Sequence, residues 1–121
     1  MTLRLTTAVH RGATLLTLAG TADFGAVAAQ RAALAAAAAG AALVVVDLDQ
    51  VTFADADGLR DLVALLAGRD REERVHLVTR RNSVTTVLTR ARIHHVVGVH
   101  RTVDEAIAAY GSRRRRLSRP V

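Results

Sequence analysis

Four carboxylates lie close together around the middle of the chain, at Asp47, Asp49, Asp55 and Asp57. Asp47 lies near the end of a near-continuous apolar run, residues 43–48, and Asp49 follows it, while the last two open an apolar helical pattern. A carboxylate at the end of a buried strand is placed to attack a phosphoryl or carbon centre, and a second one nearby acts as acid and base. A junction between a strand and a helix is also where α/β proteins place their sites. This segment is therefore the first candidate for chemistry.

One enzymatic reading of this segment is a phosphatase. The residues from Asp47 to Val51 match the D-x-D-x-[T/V] pattern of haloacid-dehalogenase-type enzymes, in which the first carboxylate is the nucleophile. That chemistry needs a lysine, and every one of the 17 basic residues here is arginine. A receiver domain, in which an aspartate at a strand end accepts a phosphate, also needs a lysine, so the absence of lysine argues against that class as well. Only about 70 residues follow Val51, which is short for the rest of a phosphatase fold. A small Asp-dependent phosphatase is thus the least favoured alternative, and Asp47 and Asp49 are expected to be polar strand-end residues.

A metal site is the other chemistry to consider. His94 and His95 are adjacent and cannot easily point at one ion, while His10, His76 and His100 are scattered along the chain. There is no cysteine, no Gly-rich phosphate loop and no pattern typical of a nucleophile with its base. We therefore expect no catalytic residue, no metal and no cofactor.

Composition and charge limit the remaining functions. At 121 residues, with 50% apolar and 2% aromatic side chains, the chain is expected to form one domain with a core of Val, Leu and Ala. Five arginines and no acid lie in residues 113–121, which leaves a formal net charge of +1 for residues 1–112. We expect no nucleic-acid binding by the folded domain, no membrane span and a cytoplasmic location. The tail is expected to be solvated; the alternative is contact with an acidic partner, nucleic acid or an anionic membrane.

The elements that position the four carboxylates alternate along the chain. An N-terminal β-hairpin is followed by three repeats of helix and strand and by a last helix that Gly111 ends. This order predicts an α/β fold with a mixed, mostly parallel sheet of about five strands covered by about four helices. The strands are predicted at 3–8, 14–19, 42–48, 75–79 and 96–99, and the helices at 24–39, 57–67, 83–91 and 103–110. The domain is expected to span residues 1–111 and the Arg-rich tail residues 112–121.

Several motifs in this order resemble one family. Residues 44–59, V-V-V-D-L-D-Q-V-T-F-A-D-A-D-G-L, resemble the D-L-S-x-V-x-F-[IM]-D-S-[SA]-G-L signature of STAS domains of anti-sigma factor antagonists. Residues 18–23 resemble the family's L-x-G-E-L-D, residues 82–91 its N-P-S segment and helix, and residues 103–106 the start of its last helix. The resemblance covers roughly residues 3–111 and implies the STAS fold.

The resemblance implies a regulator without catalysis of its own. Such a domain binds an anti-sigma factor, often a serine kinase of the histidine-kinase-like ATPase type, and frees a sigma factor. The kinase phosphorylates the first serine of the D-S-[SA]-G motif, and the phosphate dissociates the pair by charge and desolvation. Carried over to this chain, the partner-binding surface comprises Asp23, Asp55, Ala56, Asp57, Gly58, Leu59 and Ser83.

The chain departs from the family at the switch position. Ala56 stands where the phosphorylated serine is expected and has no hydroxyl, so the usual switch cannot act there. Two consequences stay open: the domain is always in its binding form, or Asp57 partly imitates a phosphate. A carboxylate carries one charge against roughly −1.5 to −2 for a phosphate, so the imitation is weak. Capping of the following helix is the favoured role of Asp57.

The resemblance leaves two further alternatives for the partner. One is another STAS protein. The other is an ATPase complex for lipid transport, in which the domain serves as an accessory scaffold. A regulator of the anti-sigma factor antagonist type is the first reading.

Overall fold

Five strands and five helices make up the chain in the computed structural model, which describes residues 3–53, 56–68 and 72–118. The strands are β1 (Arg4–His10), β2 (Ala13–Ala22), β3 (Val44–Phe53), β4 (Val75–Val78) and β5 (Gly98–His100). The helices are α1 (Phe24–Ala29), α2 (Arg31–Ala38), α3 (Ala56–Ala67), α4 (Asn82–Arg90) and α5 (Val103–Ser118). Short 3-10 turns cover Glu72–Arg74 and Ile93–His95.

The strands form one sheet in the order β1-β2-β3-β4-β5. β1 and β2 are an antiparallel hairpin, and the other neighbours are parallel. The hairpin turns at Arg11 and Gly12, whose φ angles of 53° and 82° are positive. The predicted mixed, mostly parallel sheet with an N-terminal hairpin is therefore confirmed.

Helices cover the two faces of the sheet unequally. Apolar residues of α1 to α4 share one large cluster with β2, β3 and β4, whereas α5 packs on the opposite face, where Ala106 meets Val45 and Val78. Because both faces of β3 are covered, Val44, Val45 and Val46 are all 0% exposed, as the continuous apolar run predicts. Within the described ranges, no helix has the length and apolarity needed to cross a lipid bilayer.

The helix predicted over residues 24–39 is two helices, which raises the helix count from about four to five. The break falls at Gln30, whose φ of −99° and ψ of 9° depart from helical values. Its side-chain amide donates a hydrogen bond to the carbonyl of Leu3 over 2.9 Å. The break therefore coincides with a hydrogen bond to a residue distant in the sequence, at the start of the hairpin, which local helix propensity cannot predict.

Several predicted ends were wrong. β2 continues past residue 19 to Ala22, and β5 begins at Gly98 rather than at residue 96. β3 continues past Leu48 to Phe53, with a register shift against β2: Thr17 lies opposite Asp47, but Ala19 lies opposite Gln50. β3 therefore carries one extra residue, a β-bulge, and Asp47 and Asp49 lie inside the strand.

The last helix does not end at Gly111. α5 continues to Ser118, and Gly111 is not among the glycines with positive φ, the conformation of a helix-ending glycine. The arginines that follow are good helix formers and complement the helix dipole near a carboxyl end. The predicted boundary between domain and tail at residues 111 and 112 consequently lies inside α5.

Candidate functional site

The junction between β3 and α3 is the centre of the predicted site. Asp55 lies outside the described residues, and α3 begins at Ala56. Asp57 is the second residue of the helix, so it is not the residue that precedes it. Gly58 and Leu59 complete the first turn.

Gly58 lets this turn approach the end of β2. A Cβ atom built on Gly58 would lie 2.9 Å from the carbonyl carbon of Asp23, 3.0 Å from its Cα and 3.1 Å from the oxygen of Ala22. Asp23 itself caps α1, since its Oδ1 accepts a hydrogen bond from the amide of Ala26 over 2.7 Å. The structure therefore places Gly58 close to the backbone of Asp23.

We expect Gly58→Ala to lower the free energy of unfolding by about 1–3 kcal/mol, because the new methyl group would meet backbone atoms that cannot rotate away. Gly25→Ala is the matched control, since a Cβ there meets only Asp23 Oδ1, at 3.5 Å. Alanine at position 25 should change stability by about 1 kcal/mol or less, in the stabilising direction. Urea unfolding of both variants checks this; equal stability of the two would contradict the close approach.

Asp57 is exposed and pairs with Arg60. Its side chain is 79% exposed, and its Oδ1 lies 3.6 Å from Nη1 of Arg60, one helical turn later. An exposed pair of this kind contributes little to stability. It does, however, offset part of the Asp57 charge, so the first turn of α3 presents an ion pair rather than an isolated carboxylate.

Leu59 and Ser83, the other two predicted surface residues, are not part of an exposed surface at the first turn of α3. Leu59 is 0% exposed and belongs to the core, so its side chain holds α3 in place and is not part of an exposed surface. Ser83 is exposed in the first turn of α4. It lines a shallow groove of about 200 Å³ beside β3, whose other lining residues are Val51, Thr52, Arg81, Val84 and Val87.

The two carboxylates of β3 hold the bulge. Oδ1 of Asp47 accepts a hydrogen bond from the amide of Asp49 over 2.9 Å. Oδ1 of Asp49 accepts hydrogen bonds from Thr79 Oγ1 and from the amide of Arg80, each over 2.8 Å. These bonds tie β3 to the segment after β4 and give both residues a structural role.

His76 and His100 are far apart in the sequence, but the fold brings them together. They lie on adjacent strands with Nδ1 of His76 2.9 Å from Nε2 of His100, and the rings are stacked with centroids 5.1 Å apart. Nε2 of His76 is 3.1 Å from the carbonyl oxygen of Glu73, which only accepts hydrogen bonds. Nε2 of His76 therefore donates a hydrogen bond to this carbonyl, and Nδ1 of His76 accepts a hydrogen bond from Nε2 of His100. Gly98, opposite His76 on β5, leaves room for the pair.

This pair gives stability a pH dependence. Burial lowers the pKa of His100 below 6.5, and the nearby Glu105 opposes the shift. The folded state then binds fewer protons than the unfolded state, so stability falls as pH drops below about 6.5 and stops falling below the folded pKa. Urea unfolding at pH 8 and pH 5.5 should show a smaller loss for His100→Gln than for the wild type. The exposed His94→Gln should behave like the wild type; equal losses in all three proteins would contradict the assignment.

Among residues 3–53, 56–68 and 72–118, no three His, Cys, Asp or Glu side chains converge as a metal site would require.

Comparison with known proteins gives a consistent picture. A model of the STAS domain family matches residues 4–106. The fold is similar to that of an anti-sigma factor antagonist from Mycobacterium paratuberculosis, with a TM-score of 0.76 and 21% identity over 90% of this chain and 94% of that one.

SpoIIAA is similar as well. The anti-sigma factor antagonist SpoIIAA in its unphosphorylated form has a TM-score of 0.62 and 22% identity, over 91% of this chain and 96% of that one. The Bacillus cell fate determinant SpoIIAA in its phosphorylated form has a TM-score of 0.55 and 20% identity, over 88% and 97%. Among curated proteins, the sequence comparison found no match. At these identities, the structural likenesses establish the fold.

Proposed function

The chain belongs to the STAS domain family, and from this premise we propose that it is a non-catalytic regulator that binds an anti-sigma factor and thereby frees a sigma factor. The observation that carries the proposal is the match over residues 4–106 together with a fold shared with proteins described as anti-sigma factor antagonists. The partner proposed is an anti-sigma factor of the serine-kinase type.

The exposed side of α3 supports a protein-binding role. Asp57, Arg60 and Ala64 are exposed at helical spacing along it. Next to this row, a groove of about 230 Å³ runs between the second half of α3 and the turn after α4. Val96 lines the groove and is 50% exposed, so the groove offers apolar surface to a partner. The polar first turn of α3 and this apolar groove together form the proposed partner surface.

The regulation proposed differs from that of a phosphorylation-switched antagonist. SpoIIAA exists in unphosphorylated and phosphorylated forms. Here the first residue of α3 is Ala56, which offers a kinase no hydroxyl oxygen. We propose that binding at this surface is insensitive to phosphorylation at residue 56, and that the Asp57–Arg60 pair is part of the contact.

The test is complex formation between the full chain and an anti-sigma kinase from the same cell. Size-exclusion chromatography, followed by calorimetric titration, should give a complex with the same dissociation constant in the absence and presence of ATP. If no anti-sigma factor of that cell binds, the proposal is wrong.

A further inference from the structure

Arg81 ties the segment between β4 and α4 to β3. Its Nη1 donates hydrogen bonds to the carbonyl oxygens of Asp49, over 2.9 Å, and Val51, over 3.2 Å. Its amide donates to Thr79 Oγ1 over 3.1 Å. The Asp49 carbonyl lies at the bulge and the Val51 carbonyl between the bulge and α3, so Arg81 supports the strand that leads to Ala56.

Ser83 follows two residues later and shares the groove beside β3 with Arg81 and Thr52. Its side chain is exposed in the first turn of α4. Within the described part of the chain, its hydroxyl forms no hydrogen bond, whereas Thr85 and Thr86 of the same helix both donate to backbone carbonyls. The Ser83 oxygen is therefore open to a reagent from solvent.

The first turn of α4 contains no negatively charged side chain. The residue before the helix, Arg81, makes no side-chain capping bond, and the first turn holds no acid. A turn without a cap opens more readily than a capped one, because its first amides have no intrahelical acceptor. It also gains more from an added anion, since the helix dipole is positive at this end.

The sequence around Ser83 supplies a recognition pattern. Residues 80–83 read Arg-Arg-Asn-Ser, with two guanidinium groups just before the hydroxyl. Two adjacent guanidinium groups suit an acidic pocket, which binds them through charge-assisted hydrogen bonds. Serine/threonine kinases that select basic substrates present such a pocket.

We propose that Ser83 is a phospho-acceptor for a serine/threonine kinase that selects basic substrates. In the step, the Ser83 Oγ–phosphorus bond forms at the γ-phosphate of ATP as the bond from that phosphorus to the β,γ-bridging oxygen breaks. The hydroxyl proton passes to the kinase's general base, and ADP leaves with the electron pair. In this chain, phosphorylation therefore occurs in the first turn of α4 rather than at the start of α3, whose first residue is alanine.

A phosphate at this position competes for Arg81. The dianion lies two residues from the guanidinium and binds it more strongly than neutral carbonyl oxygens do. Asp49 and Val51 then lose the hydrogen bonds that Arg81 donates to their carbonyls, and the change reaches the end of β3 next to α3. That this alters partner binding rests on the proposed function; the chemistry at Ser83 does not.

The test uses the full chain carrying Ser118→Ala, because residues 115–118, Arg-Arg-Leu-Ser, repeat the pattern. The catalytic subunit of cyclic-AMP-dependent protein kinase, with ATP, is the probe, and intact mass with peptide sequencing is the readout. We expect one phosphate, located on Ser83 and absent after a further Ser83→Ala. Absence of phosphate from Ser83 under conditions that modify Ser118 in the wild-type chain would overturn the proposal.

Two variants separate recognition from folding. The Arg80 side chain is exposed and lies outside the Arg81 contacts, so Arg80→Ala should leave the fold intact and lower the initial rate of phosphorylation at Ser83 about tenfold or more. Arg90→Ala, at the other end of α4, should leave the rate unchanged. Equal rates for the two variants would count against recognition of the arginine pair. These readouts need no anti-sigma factor, so they stand or fall separately from the proposed function.

Discussion

Replacing Arg74 with alanine is expected to lower the free energy of unfolding by about 3–5 kcal/mol, the largest stability effect that we predict. Arg74 is 8% exposed. Its Nη1 donates to the carbonyls of Ala38, over 3.2 Å, and Ala41, over 3.0 Å, and its Nη2 donates to that of Leu66, over 2.8 Å. One side chain thus supplies donors to the carboxyl ends of α2 and α3, where helical carbonyls have no partner of their own.

Urea unfolding measures this effect, with Arg90→Ala as the control. Arg90 is exposed on α4, so its loss should change stability by no more than about 0.5 kcal/mol. If Arg74→Ala were as stable as Arg90→Ala, the three hydrogen bonds would not hold the helix ends.

Ala56→Ser is expected to have the largest effect on function, since it returns a hydroxyl to the first residue of α3. With a partner kinase and ATP, the variant should be phosphorylated at residue 56 and its affinity for that kinase should fall about tenfold or more, because a dianion is then buried in the interface. The wild type should keep its affinity under the same conditions. Mass spectrometry and calorimetric titration give the two readouts.

Ala108→Ser is the matched control for this change. It places a hydroxyl at an exposed position on α5, which packs on the opposite face of the sheet from α3. It should remain unmodified and bind like the wild type. If Ala56→Ser took up phosphate without any loss of affinity, the first turn of α3 would not be in the interface.

Features that depend on local pattern could be predicted from the sequence. The buried run at 43–48 and the spacing of Leu59, Leu62 and Leu66 are typical of a covered strand and an amphipathic helix, and both elements are present. The features that sequence analysis missed depend on distant partners. β3 extends past Leu48 because residues 50–53 pair with residues 19–22 of β2, and Thr79 and Arg80 satisfy the Asp49 carboxylate at the bulge.

The residues of the candidate site show the same difference between features that depend on local pattern and features that depend on distant partners. The resemblance placed Asp23 and Gly58 on one surface; Gly58 lies close to the backbone of Asp23, but it is buried. The ion pair of Asp57 with Arg60 has a sequence signal, an acid and a base three residues apart on a helix. The meeting of His76 with His100 does not, because it requires the register of β4 against β5. Leu59 has the apolar spacing of a core residue and is buried. The spacing therefore predicts its position correctly, whereas the resemblance placed it on the partner-binding surface.

The central claim is that this STAS domain binds an anti-sigma factor through the first turn of α3 and frees a sigma factor without a switch at residue 56. The most direct measurement mixes the full chain with a preformed complex of a sigma factor and its anti-sigma kinase and follows free sigma factor by size-exclusion chromatography. We predict release of the sigma factor, equal in amount with and without ATP. Retention of the sigma factor by every anti-sigma kinase of the cell, or release that ATP abolishes, would contradict the claim.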